Sequence, residues 1–259
     1  MKNASSTHGF TLVEMAIVLA VLGLLAGGIV GGQALISRAK INGVIVDVGK
    51  YRTAYGKFQE IYQAIPGDYV DATEHWGANT ATACTGSPTA ADRTPKKLTC
   101  NGNGDNIIVP REHVFVWQHL SNAGLVEGTF TGTLDSAGGI TPGENAPAGP
   151  FESSTFYIDT SGPHVGLAAY YDQPRITELA FGRRVNGSWP SSPVLTPTDQ
   201  YAIDIKMDEG TPGNGKIMSL KPANNPGCAN SADAAVAIYD RTQSGQNCTL
   251  WVLIGEPVL

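Results

Sequence analysis

From Met15 to Ser37 the chain carries no charged side chain, a stretch of about 23 residues. At roughly 1.5 Å per residue, a helix of that length crosses the roughly 30 Å of hydrocarbon in a bilayer. One acid, Glu14, stands at the entrance to this run. An ionisable group there costs a few kcal/mol in lipid and marks a functional site by default. Glu14 therefore discriminates between the ways of reading the segment.

A secretory signal peptide has an apolar region of about 7–15 residues that ends at a small-x-small cleavage site. The run here is longer and opens on an acid. A plain membrane anchor explains the length and leaves Glu14 without a purpose. A cleaved anchor that polymerises gives both features a use.

Met1 to Gly9 is a short polar leader with Lys2, followed by Gly9-Phe10-Thr11-Leu12-Val13-Glu14. This passage resembles the processing site of type IV prepilins and type II secretion pseudopilins. The resemblance implies a cut between Gly9 and Phe10 by a membrane prepilin peptidase, which also methylates the new amino terminus. Glu14 matches the family's glutamate, five residues into the mature chain. Its carboxylate becomes tolerable in lipid beside a positive charge, and the freed amine of Phe10 on a neighbouring subunit is one. Breaking such a buried pair from one side is strongly destabilising. The implied partners are the peptidase, other copies of this chain or related pilins in a helical filament, an inner-membrane assembly platform and the lipid bilayer.

The helix is expected to continue past the membrane. Ile41, Val44, Ile45, Val48, Tyr51, Tyr55, Phe58, Tyr62 and Ile65 recur at three- and four-residue steps, with Lys40, Asp47, Lys50, Lys57 and Glu60 off that stripe. This is an amphipathic helix pattern, and Pro66-Gly67-Asp68 ends it. Gly27, Gly28, Gly31 and Gly32 make small-xxx-small spacings that permit close helix approach. Ordinary glycine in a membrane helix explains them equally well. The expected organisation is a leader over 1–9, a transmembrane and polymerisation half over 10–36, an amphipathic half over 37–65 and an extracytoplasmic head over 66–259.

The formal net charge is −6, and Gly (31) and Pro (16) are plentiful. An acidic surface argues against nucleic acid, which demands Lys and Arg clusters. It suits metal cations or a basic partner. The four cysteines allow three pairings. Cys84–Cys100 with Cys228–Cys248 closes two short loops, and four reduced thiols are the alternative. An oxidising compartment beyond the membrane favours bridges.

In the head, Ala64 to Asp68 followed by Ala72 and Trp76-Gly77 resembles the helix-to-head junction of some pilin-like proteins. Asn101, Asn103 and Asp105 alternate, and Glu112 falls twelfth from Asn101. Alternating oxygens suit a hard cation, which makes calcium the candidate cofactor. Asn106 stands where the calcium loop wants glycine, and Asn101 replaces an aspartate. A polar turn closed by a Cys84–Cys100 bridge is the competing reading. Asp204 to Gly215 resembles a carboxy-terminal passage of the same proteins, in which Asp208 and Glu209 are either cation ligands or a solvated turn.

A helix is expected from Pro110 to Gly124, a surface loop over 128–150, and a helix capped at Thr196 running to Ile205, although alternation there also fits a strand. Strand-like runs are Phe156–Thr160, Val165–Tyr171, Lys216–Leu220, Ala235–Asp240 and Thr249–Ile254.

Enzyme signatures are weak. Gly210 to Lys216 is a near miss for a phosphate loop, because Ile217 stands where Ser or Thr must hold magnesium and Pro212 removes an amide donor. The five histidines form no H-E-x-x-H pair, and there is no G-x-S-x-G. No catalytic residue is assigned.

The resemblance implies an α+β, pilin-like fold: a long amino-terminal helix packed on a small antiparallel sheet with disulfide-tied loops. It implies a structural subunit of a type IV pilus-like or type II secretion filament, at the bacterial inner membrane with the head in the periplasm and then in the filament or at the cell surface. A filament-borne adhesin, with the large head as recognition domain, is the alternative. A membrane-tethered periplasmic enzyme is the third.

Overall fold

The computed structural model describes residues 11–85, 89, 91 and 97–257. The fold is α+β and pilin-like. The chain divides into two compact units, Met1–Lys40 and Ile41–Leu259.

The first unit is the leading part of helix α1, Leu12–Tyr62, a continuous run of 51 residues. Among the described residues its large apolar side chains, Leu12, Leu19, Leu24, Leu25, Ile29 and Leu35, are all exposed. Among the described residues, α1 is the one helix long and apolar enough to cross a membrane.

The second unit begins where α1 turns amphipathic. Ile41, Val44, Val48, Tyr51, Ala54, Tyr55 and Phe58 are buried, one stripe at helical spacing. That stripe meets the helix α4 (Glu112–Asn122) and a four-stranded antiparallel sheet. The sheet consists of β1 (Ser154–Ser161), β2 (Ile176–Arg183), β3 (Ile217–Met218) and β4 (Leu250–Leu253), in the order β1-β2-β4-β3. Tyr51 is the joint: its ring meets Trp117 of α4 edge-on at 5.0 Å and Phe156 of β1 at 4.9 Å. Such pairs contribute about 1 kcal/mol each beyond area burial. Tyr55 reaches β2, its hydroxyl donating to Thr177 Oγ1 at 3.3 Å.

α1 stops at Tyr62 because Gln63 enters the left-handed region, φ 51°. At the junction that follows, Gly67 has φ 95° and donates its amide to Nδ1 of His119 at 3.0 Å. A Cβ there would lie 2.6 Å from Val116 Cγ2 and 2.9 Å from the Glu112 carbonyl, so only glycine fits. Phe58, Tyr62, Tyr69, His75 and Trp76 then form one aromatic cluster with the short helix α2 (Ala72–Trp76). A further short helix, α3 (Ala81–Thr85), carries Cys84.

The last helix, α5 (Pro197–Met207), starts at Thr196, whose hydroxyl accepts the amide of Asp199 at 3.1 Å. Proline at the first turn and a threonine cap explain why helix wins over the alternating pattern. Two disulfides tie the loops: Cys84–Cys100 with Cα atoms 5.4 Å apart and Cys228–Cys248 at 5.1 Å.

Several local expectations need correction. Strand β2, the central partner of β1 and β4, is not among the strand-like runs of the sequence. It is buried along almost its whole length, so it shows no polar alternation to reveal it. The run Val165–Tyr171 is no strand; a single bridge, His164 to Gln173, closes that loop. Ala235–Asp240 likewise forms only the bridge Ala229 to Tyr239. The stretch 128–150 is not a surface loop. Phe130, Thr131, Thr133, Ile140, Asn145 and Ala146 in it are buried. Two of its polar side chains are held internally: Asn145 Nδ2 donates to the carbonyls of Thr133 and Gly139, and Arg184 donates to Asp135 at 2.7 Å.

Candidate functional site

The amino-terminal site begins at Thr11, which precedes α1. Its amide and its hydroxyl both donate to Glu14 Oε2 at 2.8 Å, and the Glu14 amide donates back to Thr11 Oγ1 at 3.2 Å. This is a reciprocal capping box, Thr-x-x-Glu, which satisfies two otherwise orphaned amides at the helix start. Glu14 is exposed, and one negative charge therefore sits at the positive end of the helix dipole. Gly9 and Phe10 lie outside the described residues. The capping role of Thr11 was legible in the sequence, as Thr-x-x-Glu before an apolar run, but a reading centred on the carboxylate's charge passes over it.

Behind this cap the large apolar side chains from Leu12 to Ile36 are exposed among the described residues. Contiguous exposed apolar area of this extent is unfavourable in water.

The loop from Asn101 to Glu112 is organised around Asp68 of the junction. Asp68 Oδ1 accepts the amides of Asn103 at 3.1 Å and Gly104 at 2.6 Å, and Oδ2 accepts that of Asn106 at 2.7 Å. The loop passes so close that a Cβ on Gly102 would lie 2.2 Å from Asp68 Cα. The four oxygens read from the sequence are placed as follows. Asn101 Oδ1 accepts the Thr73 amide at 2.8 Å. Asn103 Oδ1 accepts the Asp105 amide, and Asp105 Oδ1 accepts the Ile107 amide. Glu112 accepts the amides of Asn103 and Val109. All four are thus engaged in closing backbone turns. Burial pushes the Asp68 and Glu112 carboxyls above the usual range; the charge of Asp105 raises both, and that of Asp68 raises Glu112. Asp68 carries no sequence signal as a loop anchor, since its partners lie 35 to 38 residues away.

A second acidic group forms at the end of α5. Carboxylate oxygens of Asp204, Asp208 and Glu209 lie within 4.8 Å of one another. Asp204 is fully buried; its Oδ2 accepts from the Tyr239 hydroxyl at 2.7 Å and its Oδ1 from the Gly210 amide at 3.0 Å. Burial pushes Asp204 up to about 7. Asp208 accepts the amides of Lys216 and Ile217 and so anchors the start of β3. These bonds fold the turn 208–217 back on the sheet.

With this geometry in view, comparison with known proteins adds one finding. Residues 5–30 match the family model of the prokaryotic N-terminal methylation motif. That motif is the prepilin-type signal of type IV pilins and pseudopilins, so the chain carries the signal of that class at its amino terminus. No curated protein and no solved structure matches the chain. The motif, the apolar helix and the α+β head fit a membrane-anchored, pilin-like structural subunit.

Proposed function

We propose that this protein is a filament subunit, a pilin or pseudopilin, released from its leader between Gly9 and Phe10 and assembled through the first part of α1. The observation that carries the reading is the coincidence of the methylation motif with a helix whose large apolar side chains from Leu12 to Ile36 are exposed among the described residues. In the membrane, lipid covers that surface; in the filament, the same segment of other copies does. The amphipathic half of α1 stays with the head, from residue 37 onward, and the head from 66 to 259 faces the periplasm before export. In this reading the freed amine of Phe10 meets Glu14 of a neighbour, and an inner-membrane platform extracts the subunit. The cysteine bridges suit an oxidising compartment, and the oxygens of Asn101, Asn103, Asp105 and Glu112 close a polar turn rather than serve chemistry.

The head, at about 190 residues, is large for a purely structural role. That size favours a specialised filament in which it also presents a recognition surface, the adhesin reading. Purification of surface filaments followed by mass spectrometry of their subunit tests the proposal. An amino-terminal, N-methylated Phe10 is expected. A polypeptide that keeps Met1 and stays monomeric in the membrane overturns it.

A further inference from the structure

A cavity of about 260 Å³ opens over one face of the sheet, walled by Tyr157, Tyr170, Trp189 and Trp251, with His113 and Asp159 on its polar side. A neighbouring cavity of about 140 Å³ shares Pro110, His113, Tyr157 and Trp189 with it. The aromatic walls are held in place. Tyr170 stacks on His164 at 4.0 Å with the rings 5° from parallel, and meets Trp251 edge-on at 5.7 Å. Tyr157 packs on His113 at 4.5 Å, with its hydroxyl 3.0 Å from His113 Nε2.

The polar side is out of balance. Asp159 Oδ2 accepts from the Tyr157 hydroxyl at 3.0 Å, while Oδ1 is shielded from solvent and accepts from nothing. Directly opposite Asp159 in the β1–β2 register stands a second acid, Glu178, which is fully buried. Like charges directly opposite one another on adjacent strands repel. Among the described residues neither Lys nor Arg lines the larger cavity, and Arg111 lines the smaller one. His164 Nε2 lies 4.0 Å from Glu178 Oε1. Burial accordingly pushes Asp159 up to about 7 and Glu178 up to about 8.

We propose that this cavity binds a small protonated alkylamine, whose ammonium donates to Asp159 Oδ1 and lies against the aromatic walls. The orphaned atom is an acceptor, so the ligand must bring a donor. A positive charge would offset the two opposed acids, and indole and phenol faces attract a cation. A sugar brings hydroxyls and stacks on such rings, but leaves the acid pair uncompensated. The site does not depend on filament assembly.

The test uses the full-length chain in detergent micelles, titrated with n-butylammonium chloride and followed by calorimetry and tryptophan fluorescence. Sodium chloride holds the ionic strength constant, and 1-butanol and methyl glucoside serve as neutral probes. Saturable butylammonium binding is expected, with 1-butanol weaker by about tenfold or more. Asp159→Asn should weaken the amine by about tenfold while circular dichroism is unchanged. Trp189, which is 46 % exposed, provides a second variant that leaves the core intact: Trp189→Ala should weaken binding and remove part of the fluorescence response. The proposal is overturned if butylammonium does not saturate below about 100 mM, roughly the weakest affinity worth calling a site. Equal binding of 1-butanol, binding of the glucoside alone, or unchanged affinity in both variants overturns it as well.

Discussion

Glu14 Oε2 accepts both the amide and the hydroxyl of Thr11, each at 2.8 Å, so the acid that opens the apolar helix is bound to its own chain before any neighbour arrives. A carboxylate has about four acceptor positions on its two oxygens. Both bonds fall on Oε2, which leaves Oε1 for a second partner such as a neighbour's amine. The carboxylate thus has two separable uses, capping and charge, and a pair of variants tells them apart.

Glu14→Gln keeps the capping geometry, since Gln serves at that position of the box. It removes the charge. Glu14→Ala removes both. We expect both variants to insert in the membrane and neither to assemble, measured by filament yield against membrane-bound subunit. Assembly of Glu14→Gln alone would assign the residue to capping and defeat the charge pairing.

Glu178 gives a pH dependence with a definite sign. Its folded-state carboxyl is raised from 4.5 to about 8, chiefly by burial. The stability it contributes is fully present below about pH 4.5 and is lost as pH rises through 8. The melting temperature of Glu178→Gln minus that of the parent should therefore grow between pH 5 and 9. A difference on the order of 1 kcal/mol corresponds to roughly 2–4 °C for a chain of this size. A flat difference would mean that the acid is not held protonated in the fold.

His119 works in the opposite direction. Its Nδ1 accepts the Gly67 amide and its Nε2 lies 3.1 Å from the Cys100 carbonyl, so the ring is neutral and spans the junction and the disulfide loop. Burial lowers its pKa from 6.5 to about 4. Stability from this group is present above pH 6.5 and is lost as pH falls through 4. Acid unfolding should shift to lower pH in His119→Gln if that variant keeps the two bonds, as followed by near-ultraviolet circular dichroism.

Gly67→Ala tests the junction itself. The left-handed backbone and the contact with Val116 together should cost on the order of 1–3 kcal/mol. The measurement is denaturant unfolding of the full chain in detergent. A neutral outcome would show that the junction relaxes without cost.

Replacing Cys84 and Cys100 by Ser, or Cys228 and Cys248 by Ser, opens loops with sequence separations of 16 and 20. Each pair should cost about 3 kcal/mol through the freed unfolded chain. Thermal unfolding of each double variant under the same conditions measures it.

The sequence alone determined the features that depend on near neighbours. The apolar run, the three- and four-residue stripe from Ile41 to Phe58, the turn at Pro66-Gly67 and the cap at Thr196 are local patterns, and local sterics and hydrogen bonding set their outcome. The signal around Glu14 is local too, because a peptidase reads a short segment. Tertiary structure decided what hangs on distant partners. β2 has no alternation because the sheet and the chain around it bury it along almost its whole length. The stretch 128–150 looks like a solvated loop until Arg184 pairs with Asp135 and backbone carbonyls accept from Asn145. Asp159 and Glu178 are 19 positions apart and meet only through strand register. Burial then makes two ordinary acids in the sequence into a desolvated pair with raised carboxyls, since desolvation is a property of the packed interior and of no single segment.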